Sequence, residues 1–177
     1  FPTRRSSDLN SSGGVIECVI NGIPAGIGDP VFEKLDANLA KAILSIGAVK
    51  GFEIGDGFSA ARATGKTNND GFCLREDGNI CKTDNHAGGI LGGISDGSDI
   101  VFRAAIKPTP SIAAAQQTVT KSGEEISVQV KGRHDPVIVP RAVVVVEAMA
   151  AITLTDALFS NMCARMDAVC GFYCKKQ

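Results

Sequence analysis

Ionisable side chains cluster in the segment K-G-R-H-D-P-V-I-V-P-R-A, which begins at residue 131. Arg133, His134, Asp135 and Arg141 combine cationic groups with a carboxylate, so they could bind an anion or transfer a proton. The proline after Asp135 disfavours helical backbone angles there, which places the charged residues on an extended segment or turn before a helix. Residue types alone allow two interpretations: a solvated surface turn, or one wall of a binding site.

A second candidate is K-P-T-P-S-I, which follows a predicted strand. Lys107, Thr109 and Ser111 offer an ammonium group and two hydroxyls beside two rigid prolines, a combination suited to a phosphate. An ordinary proline-rich turn is the alternative. The glycines of G-G-I-L-G-G, residues 88–93, either let the backbone approach a ligand closely or form a tight surface turn.

Two partial nucleotide-binding motifs fail on spacing. A-T-G-K-T ends like a P-loop, but Ala60 occupies the place of its first glycine, and Ile90 occupies the second glycine position of a dinucleotide fingerprint. Neighbours on an extended segment point to opposite sides, so His134 and Asp135 do not form a dyad with each other. The residues supply anion-friendly loops and one acid, but no complete catalytic set.

Composition narrows the class of protein. The 177 residues are 44% hydrophobic with a net charge of −1, which indicates a globular domain and argues against a nucleic-acid partner. The longest apolar stretch is interrupted by Pro140, Arg141 and Glu147, so no membrane span is expected. The six cysteines lack C-x-x-C spacing, which predicts no metal site and reduced thiols.

Periodicity predicts an α+β fold, with a mixed or antiparallel sheet and two long helices. Asp29 is the expected N-cap of the first helix, which runs from Val31 until Gly47. Most of the remaining residues are predicted to form strands and hairpins, followed by a second helix. The predicted elements are strands at 15–20, 48–54 and 99–106, hairpins at 73–80 and around 122–123, and a helix at 143–162.

Both ends differ from this pattern. The first nine residues, F-P-T-R-R-S-S-D-L, resemble the translation of a sequencing adapter, so we expect residues 1–9 to be an artefactual leader. Residues 10–162 form the expected domain. Residues 163–177 lack periodicity and are expected to be a divergent or frayed tail.

Several motifs occur together and in order: G-I-P-A-G-I-G-D-P-V-F-E-K-L-D-A, S-I-G-A-V-K-G-F-E-I-G-D-G-F, N-H-A-G-G-I-L-G-G-I-S-D-G, K-P-T-P-S-I and G-R-H-D-P. Together they resemble the C-terminal half of the chorismate synthases, over about residues 13–162. The resemblance implies a β-α-β sandwich fold and a cytoplasmic homotetramer. It also implies a lyase of aromatic amino acid biosynthesis that converts 5-enolpyruvylshikimate 3-phosphate to chorismate and phosphate by anti-1,4-elimination. Reduced FMN is the implied cofactor, and the source of its electrons, NADPH included, stays open.

The resemblance also implies roles for individual residues. Asp135 takes part in proton transfer, which would make the opening segment a site wall. The implied FMN-binding residues lie in four places along the chain: Gly47 and Ala48, Gly92, the loop of Lys107, Pro108, Thr109, Pro110 and Ser111, and Arg133.

The sequence departs from the family in two ways. Pro110 stands where serine is commoner, Val144 where proline is usual, and Gly47 where asparagine or serine is more typical. The family motifs G-E-S-H-G, R-P-G-H-A and G-G-R-S-S, which carry its catalytic histidines, do not occur, so the chain by itself is expected to be inactive. Two alternatives stay open: a non-catalytic flavin- or phosphate-binding module, and a structural assembly subunit.

Overall fold

The computed structural model describes residues 10–173 except residues 75, 77, 79, 133 and 134, so Arg133 lies outside the described residues. Its α-helices are α1 (Leu35–Leu44), α2 (Val139–Met162) and α3 (Met166–Tyr173), with a 3-10 helix at Gly57–Arg62. Its strands are β1 (Gly14–Ile20), β2 (Val49–Ile54), β3 (Phe72–Leu74), β4 (Ile80–Lys82), β5 (Ile90–Leu91), β6 (Ile94–Ser95), β7 (Ile100–Ile106), β8 (Gln116–Val119) and β9 (Glu125–Val128).

β7 is the centre of a three-stranded antiparallel sheet with the order β1-β7-β2. Alternate residues of β7 are buried, because successive side chains of a strand point to opposite faces. The buried set is Ile100, Phe102, Ala104 and Ile106. This one face of the sheet therefore forms the floor of the hydrophobic core.

Two helices supply the rest of the core. Leu35, Leu39 and Ile43 recur every four residues on α1 and are fully buried. Val146 and Ala150 recur in the same way on α2, which packs against both α1 and β1. Antiparallel strands with separate helices on one face confirm the predicted α+β class.

Both predicted hairpins are confirmed. β3 pairs with β4 across the E-D-G-N turn, and β8 pairs with β9 across Ser122 and Gly123. Both turns carry glycine at a positive φ, at Gly78 and Gly123, as tight hairpin turns require. The glycine-rich loop contains a further small hairpin, β5–β6.

The predicted start of the first helix is wrong. α1 begins at Leu35 and its N-cap is Lys34, with no cap from Asp29. The backbone N–H of Leu35 donates instead to the carbonyl of Gly93, at 2.9 Å, and Val31 has a φ of 78°. A contact to a distant glycine-rich loop thus overrides the local Asp-Pro capping signal. The helix also ends before Gly47, at Leu44.

The predicted start of the second helix also needs correction. α2 begins at Val139 rather than at 143, because Pro140 fits the first helical turn. α2 is also long and apolar enough, with 24 residues and a mean hydropathy of 1.9, to cross a membrane by length and composition alone. A single such helix is weak evidence for a span, since core helices pass the same test. In the tail, where no periodicity was found, residues Met166–Tyr173 form α3.

Candidate functional site

Several of the predicted site residues meet where β7 ends, at Ile106. We call this region the open end; it comprises residues 10–13, 47–48, 107–111 and 135–137. The backbone N–H of Lys107 donates to the carbonyl of Ala48 at 2.9 Å. This bond brings the K-P-T-P-S loop beside the turn between α1 and β2, so two predicted groups are neighbours in space.

A short segment before β1 joins the rest of the open end together. Ser11 Oγ donates to the carbonyl of Thr109 at 2.6 Å, and the N–H of Ser12 donates to the carbonyl of Pro136 at 2.8 Å. Ser12 also forms a parallel bridge with Val137. The K-P-T-P-S loop and the segment of Asp135 are therefore both hydrogen-bonded to the segment of Ser11 and Ser12.

The backbone of the K-P-T-P-S loop is held by these bonds, but its side-chain polar groups are not used within the described part of the fold. Thr109 Oγ1 is buried and has no hydrogen-bond partner among the described residues. Lys107 and Ser111 are exposed, and Lys107 makes no ion pair with any residue that the structure describes. A buried hydroxyl without a partner is unfavourable, so its retention favours a ligand that supplies the missing bond.

The turn before β2 is conformationally unusual. Ala48 has a φ of 72°, which L side chains adopt only at a cost in energy. A Cβ added to Gly47 would meet no atom within 4 Å, so there is room beside this turn. Strain next to open space, at a place the loop of Lys107 also reaches, is consistent with a ligand-binding turn.

Asp135 lies at the edge of this region and is already paired. Its Oδ1 accepts a hydrogen bond from Arg141 Nη2 at 2.9 Å, and the two side chains are 37% and 76% exposed. Arg141 belongs to the first turn of α2, so the carboxylate is oriented by the helix start. Among the described residues, the second carboxylate oxygen accepts no hydrogen bond.

Gly92 does not join the other predicted residues that the structure describes. It forms the turn of the β5–β6 hairpin at a φ of 60°. That hairpin contacts the start of α1 through Gly93, and the preceding Gly89 lies against Asp99, just before β7 begins. The seven residues of β7, about 3.3 Å each, separate Gly92 from Lys107.

We call the region around the start of β7 the anchored end; it comprises residues 56, 70, 82, 85–89 and 92–96. Lys82 Nζ lies 3.2 Å from Asp70 and 2.5 Å from Asp96, and all three side chains are at least nine-tenths buried. Asp70 also accepts the backbone N–H groups of His86 and Ala87. These polar groups bind one another, so they hold the loops in place.

Electrostatics at the anchored end favour the charged forms. Burial by itself raises the pKa of Asp70, but hydrogen bonds from Ala87, His86 and Lys82 outweigh it and leave that pKa below its ordinary value. Burial opposes ionisation of Asp96 in the same way, and Lys82 and Ser98 lower its pKa nonetheless. Both carboxylates are therefore ionised partners of one ammonium group.

Sequence reasoning missed the segment of Ser11, Ser12 and Gly13. Ser11 is 6% exposed, and a Cβ on Gly13 would lie 2.3 Å from the carbonyl oxygen of Ile106, so only glycine fits there. The available signal was the run S-S-G-G directly before a strand.

Sequence comparisons with known proteins show the family of this chain. The family model described as chorismate synthase matches residues 3–159. A chorismate synthase from Agathobacter rectalis is 72% identical over 167 residues, covering 94% of this chain and 45% of that protein. One from Lachnoclostridium phytofermentans is 68% identical over 168 residues, covering 95% of this chain and 46% of that protein.

A solved structure described as a crystal structure of chorismate synthase matches the fold. It has a TM-score of 0.71 and 35% sequence identity, over 90% of this chain and 40% of that chain. The chain spans slightly less than half the length of the curated relatives it matches. Because the family model covers most of its residues, this chain belongs to the chorismate synthase family.

Proposed function

We propose that this chain is a C-terminal segment of a chorismate synthase and contributes the larger part of its FMN-binding wall. The parent enzyme would convert 5-enolpyruvylshikimate 3-phosphate to chorismate. In that elimination the substrate loses phosphate, as one C–O bond breaks, together with one ring proton, and no net oxidation occurs. The observation that carries the proposal is the family match over residues 3–159.

The open end fits a phosphate-bearing planar cofactor. The unpartnered Thr109 hydroxyl, the Lys107 ammonium and the Ser111 hydroxyl would bind the FMN phosphate or its polar edge, while Pro108 and Pro110 keep the loop rigid. Gly47 and Ala48 would border the cofactor beside Lys107, and Arg133 would add a charged hydrogen bond. Bound reduced FMN would supply an electron-rich partner for the elimination.

Gly92 lies at the anchored end of β7, so it would not contact the FMN bound at the open end of the same chain. The parent is proposed to be a cytoplasmic homotetramer, so a neighbouring subunit is one source of such a contact. The exposed side chains of Val144, Ile152 and Phe159 on α2, each more than 60% exposed, support packing of this segment against further protein.

Asp135 is proposed to hold or transfer a proton at its carboxylate. The pairing of Oδ1 with Arg141 would orient the group and leave Oδ2 toward the site. The competing role is purely positional, with Asp135 ordering nearby cations. The two roles differ in what an amide in the same place would do.

The test uses a full-length protein rebuilt by joining residues 10–177 to a family N-terminal half, assayed anaerobically with reduced FMN. Asp135→Asn keeps the shape and hydrogen-bonding reach, and should lower turnover by roughly two orders of magnitude with little change in FMN affinity. Arg133→Ala should instead weaken FMN binding by about 1.5–3 kcal/mol.

Matched controls are Glu124→Gln, in the exposed β8–β9 turn, and Arg62→Ala, at the end of the 3-10 helix. Both should leave turnover and FMN affinity unchanged. Near-normal turnover of Asp135→Asn would reduce Asp135 to a positioning residue. A rebuilt protein that binds FMN but makes no chorismate would favour the non-catalytic flavin-binding alternative.

A further inference from the structure

Two thiols face each other across the β3–β4 hairpin. Cys73 and Cys81 are direct partners in the antiparallel register, and their Sγ atoms lie 2.8 Å apart. A disulfide bond is about 2.05 Å long, so the sulfurs stand within about 1 Å of bonding distance. Nothing in the proposed lyase chemistry uses these residues.

The surrounding contacts hold this pair in register. At the base of the hairpin the N–H of Thr83 donates to the carbonyl of Gly71 at 2.8 Å. Next to Cys81, the ammonium of Lys82 is bound between Asp70 and Asp96, which ties β4 to the glycine-rich loop. The thiols are therefore brought together by the fold and are not left to chance encounter.

Access is also suitable. Both cysteines are half-buried, whereas the hairpin presents exposed side chains at Phe72, Leu74 and Ile80, so the hairpin projects from the core. A two-stranded hairpin outside a larger sheet opens readily, which gives a small reagent a route to the sulfurs. Cys18 differs, because it lies in the central strand pair, where burial and then Glu147 raise the pKa of its thiol.

We propose that Cys73 and Cys81 form a redox-active dithiol that exchanges reversibly with small-molecule disulfides. A thiolate of the pair attacks the small disulfide R–S–S–R, forming a mixed disulfide and releasing one RS⁻. The second thiolate then displaces the other RS⁻ and closes the Cys73–Cys81 bond. Two protein thiols and one R–S–S–R thus become one protein disulfide and two R–SH, so the protein loses two electrons and two protons.

The sequence makes the product easy to identify. Trypsin cleaves after Lys66, Arg75 and Lys82, so Cys73 and Cys81 fall on separate peptides, residues 67–75 and 76–82. The 177-residue chain would be treated with a limiting amount of oxidised glutathione, in buffer and in 8 M urea (about the strength that unfolds most small domains). Remaining thiols would be blocked before digestion and mass spectrometry.

In buffer, the linked 67–75/76–82 peptide should dominate over all other cysteine linkages, and excess reduced glutathione should reverse it. In urea its share should fall several-fold, because pairing then depends on sequence separation among all six cysteines. Equal shares in the two conditions, or a dominant linkage elsewhere, would overturn the proposal. This result would leave the proposed lyase function untouched, since it concerns no residue of the open end.

Two variants separate proximity from general reactivity. Cys73→Ser should abolish the linked peptide and leave Cys81 as a mixed disulfide with glutathione. Cys163→Ser, which removes an exposed thiol after α2, should leave the linked peptide unchanged. If Cys73→Ser folds poorly, the comparison of buffer with urea on the unaltered chain still decides the question.

Discussion

At the anchored end of β7 the polar side chains bind each other, whereas at the open end the side chains of Lys107 and Thr109 have no partner among the described residues. Lys82 pairs with two buried carboxylates, and Asp70 accepts two further backbone N–H groups. At the other end of the same strand, the hydroxyl of Thr109 is buried without a partner among the described residues. Lys107, also at the open end, is exposed and forms no ion pair with any described residue.

This difference separates two uses of polar residues. A cluster whose polar groups all have partners stabilises the loops that carry it. Breaking it leaves buried charge, so its contribution is measured in the free energy of unfolding. An unsaturated loop costs stability by itself and is retained where a ligand completes it. The lowered pKa values of Asp70 and Asp96 belong to the saturated cluster, so they mark the scaffold.

The largest expected effect comes from breaking the anchored end. Lys82→Met removes the ammonium and leaves Asp70 and Asp96 buried without their cation. We expect the free energy of unfolding to fall by about 3–5 kcal/mol, measured by urea denaturation. The control is Lys41→Met, which removes an exposed 3.9 Å pair with Glu33 and should cost less than about 1 kcal/mol. Similar losses for the two variants would show that the buried cluster has no special weight.

Acid should weaken the same cluster more gradually. The folded pKa values of Asp70 and Asp96 lie below the ordinary value, so their contribution is fully present above about pH 4, the unfolded pKa. It is lost as the pH falls from there through the lower, folded pKa values. Urea unfolding at neutral pH and at about pH 3 should show this loss. In Lys82→Met the free energy of unfolding should fall less on acidification, because protonation then removes two uncompensated buried charges. An unchanged fall would show that the acid sensitivity comes from other groups.

The smallest expected effect, with the opposite sign, lies at the open end. Thr109→Val replaces an unpartnered buried hydroxyl by a methyl group, so the chain should become more stable by about 1 kcal/mol. In the rebuilt full-length protein, FMN should bind more weakly. Ser95→Ala is the contrast, because the Ser95 hydroxyl donates to Pro24 and accepts from Ile27, and its loss should destabilise. Destabilisation by Thr109→Val would mean that the hydroxyl already has a partner.

Much of the core was readable from the sequence because it follows local periodicity. The alternation of Ile100, Phe102 and Ala104 on β7 and the four-residue spacing of Leu35, Leu39 and Ile43 on α1 were both predictable. The hairpins followed from their turn residues in the same way. Their glycines determine the turn through the conformations of a few adjacent residues, and no distant contact is needed.

Residue types indicated the loop of Lys107 and the segment of Asp135, and the family motifs supplied their roles, added Gly47 and Ala48, and singled out Gly92. The structure places Ala48, Lys107 and Thr109 in one region, and it places Gly92 at the other end of β7. Asp135 proved to be paired with Arg141, six residues later and on the first turn of α2. The assignment of Asp135 to proton transfer and of the loop to FMN stays a prediction, with Arg133 outside the described residues.

What the sequence by itself determined is therefore the set of elements and the loops that carry polar groups. The tertiary structure alone decided which of those groups are satisfied. Ser11 donates a hydrogen bond to the carbonyl of Thr109, 98 positions away in sequence. The N–H of Leu35, at the start of α1, donates to the carbonyl of Gly93. Such contacts have no local signal, because they arise only when the sheet and helices pack and bring distant backbone together. That packing left the Thr109 hydroxyl without a hydrogen-bond partner among the described residues and gave Lys82 two carboxylates.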